Sequence, residues 1–368
     1  MIINKLKAKN FRNIKECEIS FSDGVNVLIG QNAQGKTNAV EAIYFFARGR
    51  FFRAQRESEV FYFSSDNFSI ELEYTEGGRE NKLSYNTYKK EKKILKNGYK
   101  IDRINEMIGS FRAILFSPDD LKLVKESPEE RRAFLNIAIS QYNNSYIKYY
   151  SLYKKALENR NCILSFSKKG LYTDENELYS WSKSLAEYAS YIYMMRKEYV
   201  KRLSYYAETE MGKISDGKEK ISLSYKSDIE EDIDDREAAE REYFRIFTSD
   251  IERERAAGVS LFGIHRDDLE ILINKKSARQ FASQGQVRSI VLALKMAEGE
   301  IIKEDFSEYP VYLLDDVLSE LDERRRAYIL SKRGEGQIII TGCEYLECIG
   351  DVDNLIEVSG GRYVSSHR

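Results

Sequence analysis

The sequence predicts an α/β fold in which mixed β-sheets surround a phosphate-binding core, with a long helical segment inserted between the two halves of that core. Three stretches carry the prediction. Residues Gly30, Gln31, Asn32, Ala33, Gln34, Gly35, Lys36 and Thr37 fit the pattern G-x-x-x-x-G-K-[ST] at every fixed position. Far downstream, the apolar run Val311-Tyr312-Leu313-Leu314 ends in Asp315 and Asp316. Between the two, residues 129–257 contain no proline and few glycines, with Leu, Ala, Tyr, Glu and Lys at helical spacing.

Taken in order, residues 2–11, 17–21 and 25–29 read as an antiparallel meander, broken at Arg12-Asn13 and at Ser22-Asp23-Gly24. Residues 37–46 form a helix, with Val40, Ile43, Tyr44 and Ala47 on one face. Residues 68–74 and 82–88 alternate as strands around a Glu76-Gly77-Gly78 turn, and 111–116 is a short apolar strand. Pro118 stops that strand and suits the first turn of a helix capped by Ser117. Two long helices follow over 129–167 and 175–210, and a charged helical run over 233–257 returns the chain. Strand and helix then resume at 269–273, 289–302, 311–316, 324–330 and 336–341. The expected division is therefore 1–125 with 258–368 as the nucleotide-binding head, and 126–257 as a helical arm.

Composition narrows the function. The 368 residues allow two domains, or one with a large insertion, and 42% hydrophobic residues suffice for a core. A net charge of −2 excludes a uniformly basic nucleic-acid binder, so any DNA contact needs a local patch. No apolar run reaches the roughly 20 residues of a membrane span, and the N-terminus lacks a signal-peptide layout, so a cytoplasmic location is expected. Cys17, Cys162, Cys343 and Cys348 form no C-x-x-C pair, and two histidines are too few for a His-based metal cluster.

The chemistry concentrates in the loop at 30–37. A glycine-rich turn between strand and helix aims backbone N–H groups at one point, where the helix dipole adds positive potential. Lys36 can then reach the β- and γ-phosphates of a nucleotide such as ATP, and the Thr37 hydroxyl can ligate Mg²⁺. Opposite it, Asp315 would hold the metal's outer shell and Asp316 would orient or deprotonate a water. Such an acid pair taken alone serves equally well to cap a following helix. Upstream, Ser283-Gln284-Gly285-Gln286 opens a helix and makes a second anion cradle. One nucleotide needs only one cradle per subunit, so the second is expected to serve another copy in an ATP-bridged homodimer.

These stretches, with Ser319-Glu320-Leu321-Asp322, resemble the Walker A, signature, Walker B and D-loop segments of ABC-type ATPase heads. Within that class the chain is similar to the SMC-like DNA-repair heads of the RecF family. The family-like features are Asn10-Phe11-Arg12-Asn13, Phe116-Ser117-Pro118-Asp119-Asp120-Leu121 and Gly263-Ile264-His265-Arg266-Asp267-Asp268-Leu269. Two departures stand out. Ile264 replaces a common proline, and Thr341-Gly342-Cys343 occupies the place of a usual γ-phosphate sensor, leaving that sensor and the role of His265 open. The resemblance implies a weak, DNA-dependent ATPase that clamps gapped, double- or single-stranded DNA without sequence preference. It further implies action with RecO and RecR to favour RecA loading in gap repair, replication maintenance and SOS induction.

For DNA the residues offer Arg48, Arg50, Arg53 and Arg56, interleaved with Phe51 and Phe52, since arginine grips phosphate in a fork. The group Lys89, Lys90, Lys92, Lys93, Lys96 and Lys100 reads equally as a DNA contact or as a solvated face. Two other readings of the whole are a nucleotide-gated scaffold that does not need turnover, and a transporter-type ABC subunit. The signature residues, Asp316 and the embedded arm speak against the transporter.

Overall fold

A computed structural model describes residues 1–54, 56–63, 65–89, 91–229, 232–344, 350 and 352–366; Lys90 and Cys348 lie outside the described residues. The chain forms two compact units: residues 1–121, 209–219 and 283–368, and residues 122–208 and 220–282. Relative to the division expected from sequence, 122–125 and 258–282 fall in the second unit and 209–219 in the first.

The first unit begins with β1 (Ile2–Phe11), β2 (Ile14–Ser20), β3 (Val25–Ile29) and α1 (Lys36–Arg48). It continues through β4 (Asn67–Glu76), β5 (Arg79–Tyr88), β6 (Glu91–Lys96), β7 (Tyr99–Ile101) and β8 (Ala113–Phe116). A six-stranded antiparallel sheet runs in the order β2-β1-β4-β5-β6-β7. Its inward face is apolar by strict alternation, as in β4, where Phe68, Ile70, Leu72 and Tyr74 are buried. Aromatic rings fasten α1 to this sheet: Phe45 stacks on Phe51 at 4.3 Å and meets Tyr85 edge-on at 4.8 Å. After Ser117, Pro118–Leu121 makes a 3₁₀ turn that runs into a helix at Lys122, and the Asp120 carboxylate accepts the Ser117 N–H at 2.6 Å.

The second unit contains α2 (Lys122–Lys125), α3 (Pro128–Tyr142), α4 (Asn144–Lys168), most of α5 (Glu175–Ser215) and β9 (Ile221–Lys226). It also contains α6 (Arg236–Ser249), α7 (Ile251–Ala257), β10 (Asp268–Ile273), β11 (Lys276–Ser277) and α8 (Ala278–Phe281). The helix expected over 129–167 breaks at Asn143, whose extended backbone lets its side chain accept the Tyr146 N–H at 3.0 Å and start α4. The run over 233–257 likewise splits at Asp250. Strand β9 was not legible, because Ile-Ser-Leu-Ser-Tyr-Lys follows a helix and has only one fully buried side chain. It pairs antiparallel with β10, which is why 258–282 belongs with the helices.

This unit is held by buried charge. Arg160, with no exposed side-chain surface, donates to Glu254 and Phe247 O and to the hydroxyls of Ser182 and Ser260, at 2.6–2.9 Å. Arg196 donates to Ile264 O (2.7 Å), Asn136 (2.9 Å) and the Tyr146 hydroxyl (3.0 Å). The Gly263 to Leu269 stretch belongs to the same network. Gly263 has φ 120°, and a Cβ there would lie 2.5 Å from the Tyr153 hydroxyl. His265 Nδ1 pairs with that hydroxyl at 2.7 Å, and burial pushes the imidazole down to about 4, so it is neutral at pH 7 and acts as a packing group.

The first unit resumes with α9 (Gln284–Phe306), β12 (Val311–Asp315), α10 (Glu323–Ser331), β13 (Ile338–Gly342), β14 (Asn354–Ser359) and β15 (Arg362–Ser366). Its second sheet runs β15-β14-β3-β13-β12-β8, parallel except for β15. Covered on both faces, β12 and β13 read as continuous apolar runs. Register aligns Asp315 with Thr341 and Gly342 with Ile29, so three strand ends converge beside the 30–37 loop. Among the described residues no helix is long and apolar enough to cross a membrane.

Replacing Arg160 by Met should cost about 3–5 kcal/mol in urea unfolding, since Glu254 is left buried and uncompensated. Adding Glu254→Gln should recover most of the loss. A single-variant loss under about 1 kcal/mol, the range of an exposed pair, would show that the ion pair does not anchor the unit.

Candidate nucleotide site

The loop is shaped by its neighbours. A Cβ on Gly30 would sit 2.2 Å from Val358 O, so only glycine fits where β14 passes. Gly35 has φ 119°, and a Cβ there would lie 2.9 Å from Asn13 Oδ1 and 3.0 Å from the Tyr363 hydroxyl. Ala33 also takes a left-handed φ of 64°, the kind of strain that persists where surroundings over-determine the backbone. The β14–β15 hairpin clasps the loop from outside: Gly361 N–H donates to Gln34 O (2.9 Å), Gly360 N–H to Gln34 Oε1 (2.6 Å) and the Tyr363 hydroxyl to Gly35 O (2.8 Å). From the other side Asn13 Nδ2 donates to Ala33 O (3.2 Å), and Cys343 Sγ meets Asn32 Oδ1 at 2.9 Å.

Helix α1 opens with no side-chain cap and no acid in its first turn; Asn38 and Ala39 N–H already donate to Gly35 O, so the N–H groups of Lys36 and Thr37 are the ones placed to meet an anion. Lys36 is buried and donates through Nζ to Gly30 O (2.6 Å) and Gln31 O (3.0 Å), so the ammonium is already curled over the loop. Arg12 grips buried Glu41 of α1 with two parallel bonds at 2.9 and 3.0 Å, fixing the helix against β1.

Asp315 meets the loop directly. Its Oδ1 accepts from the Thr37 hydroxyl and from the Thr341 hydroxyl, each at 2.9 Å, while Asp316 N–H donates to Thr341 Oγ1 at 3.0 Å. Burial holds the Asp315 carboxyl above its usual range, opposed by the two hydroxyls and by the nearby charge of Arg53. Asp316 follows, half-buried, with a left-handed φ of 55°. Thr37 and Asp315 supply converging hard oxygen ligands; Mg²⁺ is usually held by one or two protein oxygens plus phosphate and water, so these residues fit it. No larger acidic, His or Cys cluster suited to another metal occurs among the described residues.

The second cradle is equally ordered. Ser283 caps α9 by accepting Gln286 N–H at 3.2 Å, and Gln286 Oε1 returns the bond to Ser283 N–H at 2.9 Å, a complete capping box. Gln286 Nε2 donates to Glu219 at 3.0 Å, and Gly285 O accepts from Arg325 at 2.8 Å. Ser283 and Gln284 are exposed, and none of these partners belongs to the phosphate loop. Gly285 is unlike Gly30: a Cβ there would meet nothing nearer than 3.5 Å. The fold does not require glycine at 285. In the D-loop, Ser319 donates to Asp316 O (3.0 Å), and Asp322 caps α10 through Arg325 N–H (2.9 Å).

The arginine group disperses. Arg53 Nη1 donates to Asn38 Oδ1 at 3.3 Å and so faces the phosphate loop; Arg50 and Arg56 are exposed, and Arg48 is half-buried in the last turn of α1. Among the lysines, Lys92 pairs with Glu57 at 2.7 Å and Lys89 lies over the Tyr88 ring, while Lys93 and Lys100 are exposed. Sequence reasoning missed Asn13 and Tyr363 as loop supports and Arg325 as the signature's partner. The Asn-Phe-Arg-Asn motif was the one available signal.

Residues 2–362 match the family described as RecF/RecN/SMC N terminal domain. A relative from Clostridioides difficile (strain 630), called DNA replication and repair protein RecF, is 37% identical over 345 residues, 94% of this chain and 92% of its own. A solved structure of the recombination mediator protein RecF with ATP, of the RecFOR pathway, superposes with a TM-score of 0.91 at 32% identity, over all of this chain and 97% of that one. An Smc head domain from Pyrococcus furiosus, bound to the C-terminal domain of ScpA, gives 0.58 at 19% identity, covering 100% and 96%, a likeness of fold alone.

Because Asp315 has a raised pKa, its ionised form is disfavoured in the folded chain and its contribution to stability falls as pH rises through that pKa. Asp315→Asn, which can still accept both hydroxyls, should therefore raise the thermal midpoint at pH 7.5 and narrow the gap to wild type at pH 4. It should also abolish Mg²⁺-dependent nucleotide binding. A lower midpoint at pH 7.5 would refute the assignment of a charge-penalising site.

Proposed function

Since the chain belongs to the RecF/RecN/SMC family, with the ABC-type head fold and relatives in its RecF branch, we propose that it is an ATP-dependent DNA-binding protein of replication and gap repair. ATP closes two copies into a clamp, and hydrolysis, slow beside binding, resets it. The observation that carries this reading is the Thr37, Asp315 and Thr341 hydrogen-bond chain beside Lys36.

Lys36 and the open N–H groups of α1 hold the β- and γ-phosphates, and the clasped loop keeps water from loosening them. Thr37 and Asp315 would hold Mg²⁺, which when bound neutralises charge on the β- and γ-oxygens. Asp316 accepts a proton from, or orients, the attacking water. Ser283 and Gly285 of the facing copy reach the γ-phosphate, which ADP lacks, so only ATP favours the closed state. The freedom of Gly285 from any steric demand within its own subunit supports a contact made from outside. DNA is held by backbone charge, through Arg50, Arg56 and the exposed lysines, without base readout. Action with RecO and RecR to favour RecA loading and SOS induction, in the cytoplasm, completes the proposal.

Sedimentation with Mg²⁺ should give dimers with ATP and monomers with ADP, and DNA binding should rise with ATP and fall steeply with salt. Gly285→Ala should hold or raise thermal stability, since alanine is about 1 kcal/mol better in a helix, yet lose dimerisation. Wild-type-like dimers of Gly285→Ala would overturn the contact between copies, and ATP-independent wild-type oligomers would overturn the clamp.

A further inference from the structure

Arg325 sits outside every motif, yet its donors join two of them. Nε and Nη2 donate to the Ser289 hydroxyl at 2.9 and 2.7 Å, Nη2 also to Gly285 O at 2.8 Å, and Nη1 pairs with the Asp322 carboxylate. The same carboxylate accepts Arg325's backbone N–H at 2.9 Å and starts α10. The Arg325 side chain is 18% exposed, so water competes little for its bonds to Ser289 and Gly285, while the Asp322 carboxylate is 54% exposed. A guanidinium is planar with donors in fixed directions, so serving three acceptors at once sets the angle between the starts of α9 and α10. The turn after α5 braces this from the far side: Glu219 holds Gln286, and Asp216 pairs with Arg324 at 2.5 Å.

We propose that Arg325 is a positioning residue that joins the signature turn at Ser283 to Gln286 and the D-loop at Ser319 to Asp322 into one rigid block, presented to the nucleotide of the facing subunit. This rests on the clamp reading above. The bonds of Arg325 go to Asp322, Ser289 and Gly285, outside the phosphate loop of its own subunit; it acts through Gly285 and Asp322 on the pocket of the other copy. If either segment moved independently, closing the dimer would have to order it, and that entropy would weaken the ATP-closed state.

The test compares wild type with Arg325→Lys, Arg325→Ala and Ser289→Ala. Binding of a fluorescent ATP analogue to dilute, monomeric protein should stay within about twofold, because each subunit's own loop is intact. ATP-driven dimerisation should weaken about tenfold or more in both Arg325 variants, the size of one lost charge-assisted bond, and less in Ser289→Ala. Lysine should not rescue, because it keeps the charge but not the fork. Turnover should lose kcat with little change in KM. Mixing Arg325→Ala with Lys36→Arg should restore dimers and turnover, since one of the two composite pockets then has an intact loop from one copy and an intact block from the other. Failure to restore, or full rescue by lysine, overturns the role. Should the Arg325 variants unfold, Ser289→Ala decides: wild-type dimerisation overturns it. Wild type that never dimerises with ATP sinks the clamp reading, whereas dimerisation alike in all variants sinks only the Arg325 assignment.

Discussion

The Asp315 carboxylate is the joint on which the head depends. Its one oxygen takes two hydroxyls, from the first turn of α1 and from the end of β13, while its backbone continues into the strained Asp316. Those donors meet only because β3, β13 and β12 run parallel in a register that ends them together. Burying an acid there is unfavourable by itself, and the hydroxyls offset only part of it. A site that disfavours its own charge is primed for a cation, so structure and chemistry share one source of tension.

How much of this was legible depended on whether the determinant was local. The Gly30 to Thr37 turn between strand and helix, the acids closing β12 and the helix opened by Ser283 to Gln286 are written in consecutive residues, although that helix begins at Gln284, five residues before the expected start. The clasp by Gly360, Gly361 and Tyr363 was invisible, because it joins segments more than three hundred positions apart. Thr341 stood out in the sequence only as a departure from a family pattern. The structure makes it the bridge between the two acids. Asn143 broke a helix that periodicity had joined, since its side chain accepts the first N–H of the next helix, whereas the break at Asp250 is made by the backbone alone, without a side-chain cap.

The second unit illustrates a different economy. Its interior carries Arg160, Arg196, Glu254 and Asp267 almost without solvent. Such groups add little net stability over apolar replacements, but they tolerate only one arrangement of partners. The Gly263 to Leu269 stretch, which the sequence marked only as a family-like motif with the role of His265 open, is consumed by that arrangement: His265 is neutral and bonded to Tyr153, and Asp268 holds Arg131 at 2.6 Å. A motif can be demanding because it specifies a core.

The contrast between Gly30 and Gly285 has a genetic corollary. A side chain at position 30 collides with its own sheet, so the damaged chain would be cleared by proteolysis and behave as a simple loss. A methyl at position 285 comes no nearer than 3.5 Å to any neighbour, an ordinary contact with Arg325, and such a chain would persist at normal abundance. In an assembly where each copy completes its neighbour's pocket, those persistent chains would pair with healthy ones and spoil them. Lesions at the first glycine would be recessive, and lesions at the second dominant.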